Sequence, residues 1–214
     1  MIQLKKLTFN AFQVNTYILF DETGECVIID AANSNEEEDN RLFEYIDDNK
    51  LKPSILLSTH AHVDHILGNA IVSKRYNVKL GAHAGGELYL DNAIASASSF
   101  GMRLTEVLHP EINLIDNQTL TFGNSSLKVF HTPGHATGSA CFYNKEASFV
   151  ITGDVLFYQS IGRTDLPGGD YNLLKNSIWG KLFVLPDSTK VHPGHGPDTS
   201  IGSEKTDNPF IAIG

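Results

Sequence analysis

The sequence predicts a mixed α/β chain, α+β in its layering, folded as a four-layer αββα sandwich. Two observations lead there. Strands followed by helices recur in two successive halves, with no linker, charge block or low-complexity stretch between them, which favours a single domain over residues 1–214. Both halves also put glycine-rich turns and metal-capable side chains just after strand ends, where ligands sit in open α/β sheets. Periodicity alone gives only a mixed α/β class. The layering follows because two sheets packed face to face still need helices over their outer faces.

Residues 2–9 and Val14–Phe20 read as strands, rich in β-branched and aromatic residues. Asp21-Glu-Thr-Gly24 is a turn and Cys26–Asp30 a third strand, so the chain opens as a β-meander. Ser34 followed by Glu37 matches a capping box, and Leu42, Phe43 and Ile46 share one helical face. That helix should run to about Asn49, with Pro53 beyond its end. Ser54–Ser58 reads as an apolar strand, Ile66–Tyr76 as a helix with Gly68 near its start, Val78–Ala82 as a short strand and Gly85–Ser99 as a helix. The second run of strands comprises Gln118–Phe122, Leu127–His131, Ser139–Tyr143 and Phe149–Thr152. Asp170 can cap a helix over Tyr171–Leu182; Thr189–Val191 is a last short strand, and the tail reads as turns.

With 41% hydrophobic and 19% charged residues, the composition is that of an ordinary globular protein. A formal net charge of -9 and the lack of any basic run argue against a nucleic-acid partner. Met1-Ile-Gln-Leu-Lys-Lys6 leads into no apolar signal region, and no apolar run is long enough to span a membrane. Cys26 and Cys141 each lie inside a strand-like run and read as buried small hydrophobes in a reducing compartment. The expected location is the cytoplasm.

The chemistry concentrates in Leu57-Ser-Thr-His-Ala-His-Val-Asp-His65, which sets His60, His62, Asp64 and His65 within one short turn. Buried without partners, such groups would cost several kcal/mol each (~2–7), so the stretch reads as metal-binding. Three later segments have the same character: His131-Thr-Pro-Gly-His135, Thr152-Gly-Asp154 and His192-Pro-Gly-His195-Gly196. The combined set is His60, His62, Asp64, His65, His135, Asp154 and His195. Five imidazoles and two carboxylates are too many for one tetrahedral zinc. They suit two adjacent metals bridged by one carboxylate and by a water or hydroxide.

The order and spacing of these segments resemble the metallo-β-lactamase superfamily, whose first motif is His-x-His-x-Asp-His. More closely, Ser160-Ile-Gly-Arg-Thr-Asp-Leu-Pro-Gly-Gly-Asp170 and Gly194-His-Gly-Pro-Asp-Thr-Ser-Ile-Gly-Ser-Glu-Lys205 resemble the short, single-domain bacterial form of hydroxyacylglutathione hydrolase (glyoxalase II). The resemblance implies that His60, His62 and His135 hold a first metal, that Asp64, His65 and His195 hold a second, and that Asp154 bridges them. Asp64 and Asp154 are thereby expected to serve catalysis as well as ligation. Two divalent ions are implied, zinc foremost, with iron and manganese also compatible with this donor set. The implied substrate is a small-molecule thioester, S-acylglutathione or a related acyl-thiol, cleaved by metal-activated water.

Persulfide dioxygenases resemble the same histidine segments and the Gly162–Asp165 stretch, and use one iron held by two His and one Asp. They are the rival reading, followed by hydrolases of other esters, lactones or amides. Serine catalysis is disfavoured because Gly-x-Ser-x-Gly is absent. Among the remaining groups, His131 and His192 are expected to support the ligand turns through hydrogen bonds, and Asp30 reads equally as a ligand orienter or as a simple turn residue. His83 and His109 read as surface or loop positions, Arg163 and Asp165 as a structural pair, and Lys205 as a surface side chain. Long glyoxalase II enzymes carry a carboxy-terminal helical extension that contributes to glutathione binding. This chain has only Lys205 as a basic residue near its end.

Overall fold

The computed structural model describes residues 1–212. A first sheet of six strands begins with the antiparallel meander β1 (Gln3–Phe9), β2 (Val14–Phe20) and β3 (Glu25–Ile29). Helix α1 (Glu36–Asp48) crosses back to β4 (Lys52–Leu57), which pairs parallel with β3. Short helices α2 (Val63–Ile66) and α3 (Asn69–Tyr76) lead to β5 (Leu80–Ala82). After α4 (Glu87–Leu90) and α5 (Ala93–Ser99) comes β6 (Ile112–Asn113), which closes the sheet in the order β1-β2-β3-β4-β5-β6.

The second sheet takes β7 (Thr119–Phe122), β8 (Ser125–His131), β9 (Ala140–Asn144), β10 (Phe149–Gly153), then β13 (Lys190–Pro193) and β14 (Thr199–Ser200). Its order is β14-β13-β10-β9-β8-β7, parallel only between β10 and β13. A small ribbon, β11 (Leu156–Phe157) and β12 (Ser160–Ile161), precedes α6 (Tyr171–Ser177), which runs on into a turn of π-helix over Ile178–Leu182. The chain then ends its described part with α7 (Ile201–Asp207).

Strand alternation divides the side chains into layers. On β4, Leu57 points between the sheets with Tyr17, Val27, Val129, Phe142 and Ile151. Its neighbour Leu56 points outward with Ile18 and Ile28 against Leu42 and Ile46 of α1 and Val72 of α3. Outside the second sheet, Cys141, Val150 and Val191 meet Leu174 of α6 and Ile201 of α7. The expected αββα sandwich is therefore the observed one. Cys26 and Cys141 are free, buried, and packed in these opposite outer layers.

Several boundaries differ from the sequence reading. The cap of α1 is Asn35, one residue later than Ser34: its side chain accepts from Glu38 N, while the Glu38 carboxylate accepts from Ser34 N at 2.8 Å. The reciprocal bonding is present but in the neighbouring register. The helix expected over Ile66–Tyr76 is two helices, broken at Gly68, whose close packing on the Asn33 side chain leaves no room for a Cβ. Gly85–Ser99 is likewise split into a 3-10 turn, α4 and α5. Val78 precedes its strand, which starts at Leu80. The tail contains α7, capped by Ser200 accepting from Ser203 N and anchored by the buried Glu204 carboxylate, which takes Gln159 N, Thr199 Oγ1 and Asn208 Nδ2.

The two sheets are tied at both ends. At the end remote from the histidines, the buried Asp21 carboxylate in the β2–β3 turn accepts from Thr23 N and Oγ1, and from Asn124 N and Ser125 Oγ in the β7–β8 turn. Burial works to raise its pKa, but the hydrogen bonds outweigh it and bring the group down to about 2. A carboxyl depressed on folding contributes stability that is present above its unfolded pKa and lost as pH falls through the folded one. Thermal melts of the wild type should therefore weaken between about pH 4 and about pH 2. Asp21→Asn, which sets an amide donor against these donors, should cost about 1–3 kcal/mol at neutral pH. That deficit should shrink across the same acid window.

Candidate metal centre

At the opposite end, the tips of β4, β8, β10 and β13 converge. The parallel strands β3 and β4 deliver the His60–His65 turn, and the buried Asp30 at the end of β3 fixes it. Asp30 Oδ1 accepts from Thr59 N at 2.7 Å, and Oδ2 accepts from Thr59 Oγ1 at 2.7 Å and from His65 Nδ1 at 2.9 Å. To reach them Asp30 holds φ at +54°, a left-handed conformation that Asp tolerates better than most residues. Of the two readings open in the sequence, ligand orienter and simple turn residue, these contacts favour the first.

These bonds decide where the imidazole protons sit. The Thr59 hydroxyl hydrogen goes to Asp30, so His60 Nδ1–H must donate to Thr59 Oγ1, 3.0 Å away. His60 Nε2 is left as a bare lone pair, buried and without a hydrogen-bond partner. His65 Nδ1–H goes to Asp30, His135 Nδ1–H to Arg163 O at 2.8 Å, and His195 Nδ1–H to Phe12 O at 2.8 Å. Each outer nitrogen is thus a donor to the protein, and each Nε2 points inward as an acceptor.

The inward nitrogens nearly touch. His135 Nε2 lies 2.9 Å from His62 Nδ1, and His65 Nε2 lies 3.2 Å from His195 Nε2. Lone pairs facing at such distances repel unless a proton or a cation sits between them. Asp154, at the end of β10, reaches both groups: Oδ1 is 3.3 Å from His65 Nε2, and Oδ2 is 3.4 Å from His195 Nε2 and 3.7 Å from His135 Nε2. Its Oδ1 is buried and makes no aligned hydrogen bond. Asp64 Oδ2 stands 3.5 Å from His195 Nε2 and 3.6 Å from His65 Nε2. The donor atoms of His60, His62 and His135 lie within 4.8 Å of one another, as do those of Asp64, His65 and His195, and those of His60, His65 and Asp154. All seven residues singled out in the sequence come together, and the orphaned, convergent acceptors fit divalent cations.

The electrostatics describe the same imbalance. Burial, aided by His65 and His62, holds His60 well below the ordinary imidazole range; burial and His135 take His62 down to about 4. For His65 burial acts in the same direction, but Asp154, Asp64 and Asp30 together overcome it and raise the group. His195 rises to about 9 because Asp154 and Asp64 outweigh its burial. Asp154 stays ionised: burial opposes this, and the surrounding histidines, His65 first, prevail.

Backbone placement explains the close approach. A Cβ on Gly194 would lie 2.2 Å from Asp154 Oδ1, so only glycine lets the β13 tip pass this carboxylate. Gly134 holds φ at +132° against the backbone of α6, where a Cβ would meet Leu174 N at 2.1 Å. Residues missed in the sequence hold the β13 tip. Asn15 N donates to Gly194 O at 2.7 Å, Asn15 Nδ2 to Pro193 O and Gly196 O, and Tyr17 OH to Pro193 O at 2.7 Å. Burial raises the Tyr17 pKa strongly, so the hydroxyl keeps its proton. The available signal was the polar Asn15-Thr16 pair inside an otherwise apolar strand.

The other histidines sort by contact. His131 Nε2 donates to Thr137 O at 2.9 Å and so braces the His135 loop as expected. His83 is half-buried, not a free surface group: it stacks on His131 at 3.7 Å and accepts from Gly85 N. His192 packs on Tyr17 and Phe149 with Nδ1 3.1 Å from Asp198, away from the ligand rings. His109 is exposed. Arg163 and Asp165 form the expected pair, doubly bonded at 2.7 Å, and Lys205 pairs with Asp187. Burial lifts the thiols of Cys26 and Cys141 to about 12, which removes either as a nucleophile. Over the histidines opens a cavity of about 610 Å³, walled by α4, α5, the β1–β2 turn and the Leu166–Pro167 segment. No helix of the described residues is long and apolar enough to cross a membrane.

Comparison with known proteins agrees with this geometry. The model of the metallo-beta-lactamase superfamily matches residues 9–199. The probable metallo-hydrolase YqgX of Bacillus subtilis is 35% identical over 208 residues, covering 97% of this chain and 96% of the relative. The hydroxyacylglutathione hydrolase GloC of Haemophilus influenzae is 32% identical over 213 residues, 98% of each chain. Among solved structures, the BLEG-1 B3 metallo-beta-lactamase superposes with a TM-score of 0.90 at 37% identity, covering 99% of this chain and 100% of that one. TTHA1623 in a di-iron-bound form gives 0.86 at 33% identity, covering 97% and 100%. The αββα layers, the convergent His/Asp groups and these matches together place the chain in the metallo-β-lactamase superfamily, as a metallohydrolase that binds divalent metal.

Proposed function

We propose that the chain is a binuclear hydrolase of thioesters, acting on S-acylglutathione or a related acyl-thiol. The observation that carries this reading is the pair of facing nitrogen contacts, His62–His135 and His65–His195, with Asp154 reaching across both. His60, His62 and His135 would hold one ion, Asp64, His65 and His195 the other, and Asp154 would touch both. Likeness to GloC supports a thioester substrate, and likeness to a di-iron form supports two ions. Zinc suits the nitrogen-rich donor set, and iron or manganese are its competitors. We place the enzyme in the cytoplasm, with a small-molecule substrate and neither a nucleic-acid nor a membrane partner.

Bound divalent ions supply Lewis acidity and a water acidic enough to react near neutrality. The chain's own groups do the rest. No side chain at the site is an activated nucleophile, so water must provide the new C–O bond while the C–S bond breaks. Asp64 and Asp154, both ionised, orient that water by accepting its hydrogen bonds. The leaving thiolate takes up a proton from solvent, so the products are a carboxylate and a thiol. The anchors on the outer nitrogens, the Asp30 carboxylate for His65 and backbone carbonyls for His135 and His195, keep the imidazoles from rotating as charge changes.

Elemental analysis of the purified protein should find about two metals per chain, with thioester turnover lost in chelator and restored on reloading. One iron per chain, no thioester turnover, and oxygen uptake with a persulfide would sink the proposal in favour of a dioxygenase. Asp30→Asn should weaken metal binding by about 10- to 100-fold, as measured by competition with a chromophoric chelator. An unchanged affinity would show that the Asp30–His65 bond does not tune the site.

A further inference from the structure

The cavity above the histidines has a chemistry of its own, distinct from the polar floor. Its walls come from three places. The β1–β2 turn gives Phe12; α4, α5 and the residues after them give Leu88, Tyr89, Ala93 and Phe100; and the segment before α6 gives Leu166. Phe12 and Phe100 meet edge to face at 5.8 Å across the mouth. Phe12, Leu88 and Phe100 are 41%, 47% and 54% exposed, a concentration of apolar surface that folding alone would not leave in water. Polar groups on the wall, Asn92, Ser96 and Ser99, are uncharged.

Cationic side chains are nearly missing from it. Apart from the histidines of the floor, Arg163 is the one cationic residue lining this cavity among the described residues. Its guanidinium is exposed and paired with the Asp165 carboxylate through two bonds of 2.7 Å, so in this arrangement the pair brings the cavity no net charge. Lys205, the basic residue nearest the chain end, bonds to Asp187 and Leu185 O and does not line the cavity. A glutathione moiety presents two carboxylates and one ammonium group. Carboxylates brought against this wall would lose water and gain no cation in return.

We infer that the substrate of this site is an acyl-thiol whose distal part is uncharged and apolar. This inference rests on the thioester reading and narrows it. The volume, about 610 Å³, is in the range that encloses most of a medium-sized ligand, and the wall is continuous with the floor through His62, Asp64 and His135. The thioester carbonyl would lie at the floor and the apolar chain along α4 and α5.

The test is a series of S-acyl-N-acetylcysteamine thioesters from acetyl to octanoyl, assayed with the metal-loaded enzyme beside S-lactoylglutathione. The ratio kcat/KM should climb with chain length, by about fourfold per added methylene if each is buried. The longer members should exceed S-lactoylglutathione by at least about tenfold. Leu88→Lys, a change at a half-exposed position, should flatten the slope. A flat series, or S-lactoylglutathione above every apolar ester, would overturn the inference while leaving thioester hydrolysis standing. If no thioester is cleaved, the proposed reaction fails, and calorimetry with non-hydrolysable S-alkyl-N-acetylcysteamine thioethers decides about the cavity. Affinity rising with alkyl length supports the apolar site; no length dependence overturns it.

Discussion

One buried carboxylate sets the geometry of this end of the molecule. Asp30 is 1% exposed and takes three hydrogen bonds, two from Thr59 and one from His65. A buried anion is tolerable only when such donors replace its lost water. Because the donors belong to the turn after β4, satisfying Asp30 fixes that turn, and with it the directions of His60 and His65. Its left-handed backbone costs on the order of 1–3 kcal/mol, which the hydrogen bonds must offset. From this group outward, the fold at this end is a chain of obligations: Asp30 orders Thr59, Thr59 orders His60, and the inner nitrogens have nowhere to point but at one another.

The second sheet joins through different physics. Its ligands sit on strand tips with glycine beside them, and main-chain contacts bring them in. Ala140 N donates to Thr59 O at 2.7 Å, and Asn15 and Tyr17 grip the β13 tip through its carbonyls. The apolar layer between the sheets sets their separation, and these polar ties set the lateral alignment. The result is a site held from both sheets, with acceptor atoms converging at its centre.

The ligands were legible in the sequence because nothing else explains four metal-capable groups in six residues, and the later glycine turns repeated the signal. The sandwich was legible because both outer sheet faces needed cover. What could not be read were pairings set by distance. Asn15 finds Pro193 across 178 residues, and no local pattern announces such a partner. Helix α7 was missed because it buries only Ile201 and Glu204; a buried carboxylate in place of an apolar stripe gives no helical period. The cap of α1 slipped by one residue because Ser34 and Asn35 are both competent caps, and tertiary fit chose between them. The break at Gly68 likewise answers to packing that the chain does not display locally. For Gly68 the neighbour is Asn33, far back along the chain.

The ring-to-ring contact of His65 with His195 spans 130 residues of chain. Neither sheet alone owns a full set of donors: the turn after β4 supplies four, and His135, Asp154 and His195 come from the second sheet. A half-folded chain can therefore present the four-group turn after β4 but not the seven-residue site. The full donor set is in this sense a property of completion: it exists only once the long loop between the two sheets has closed, and such closure carries an entropic cost that local contacts do not.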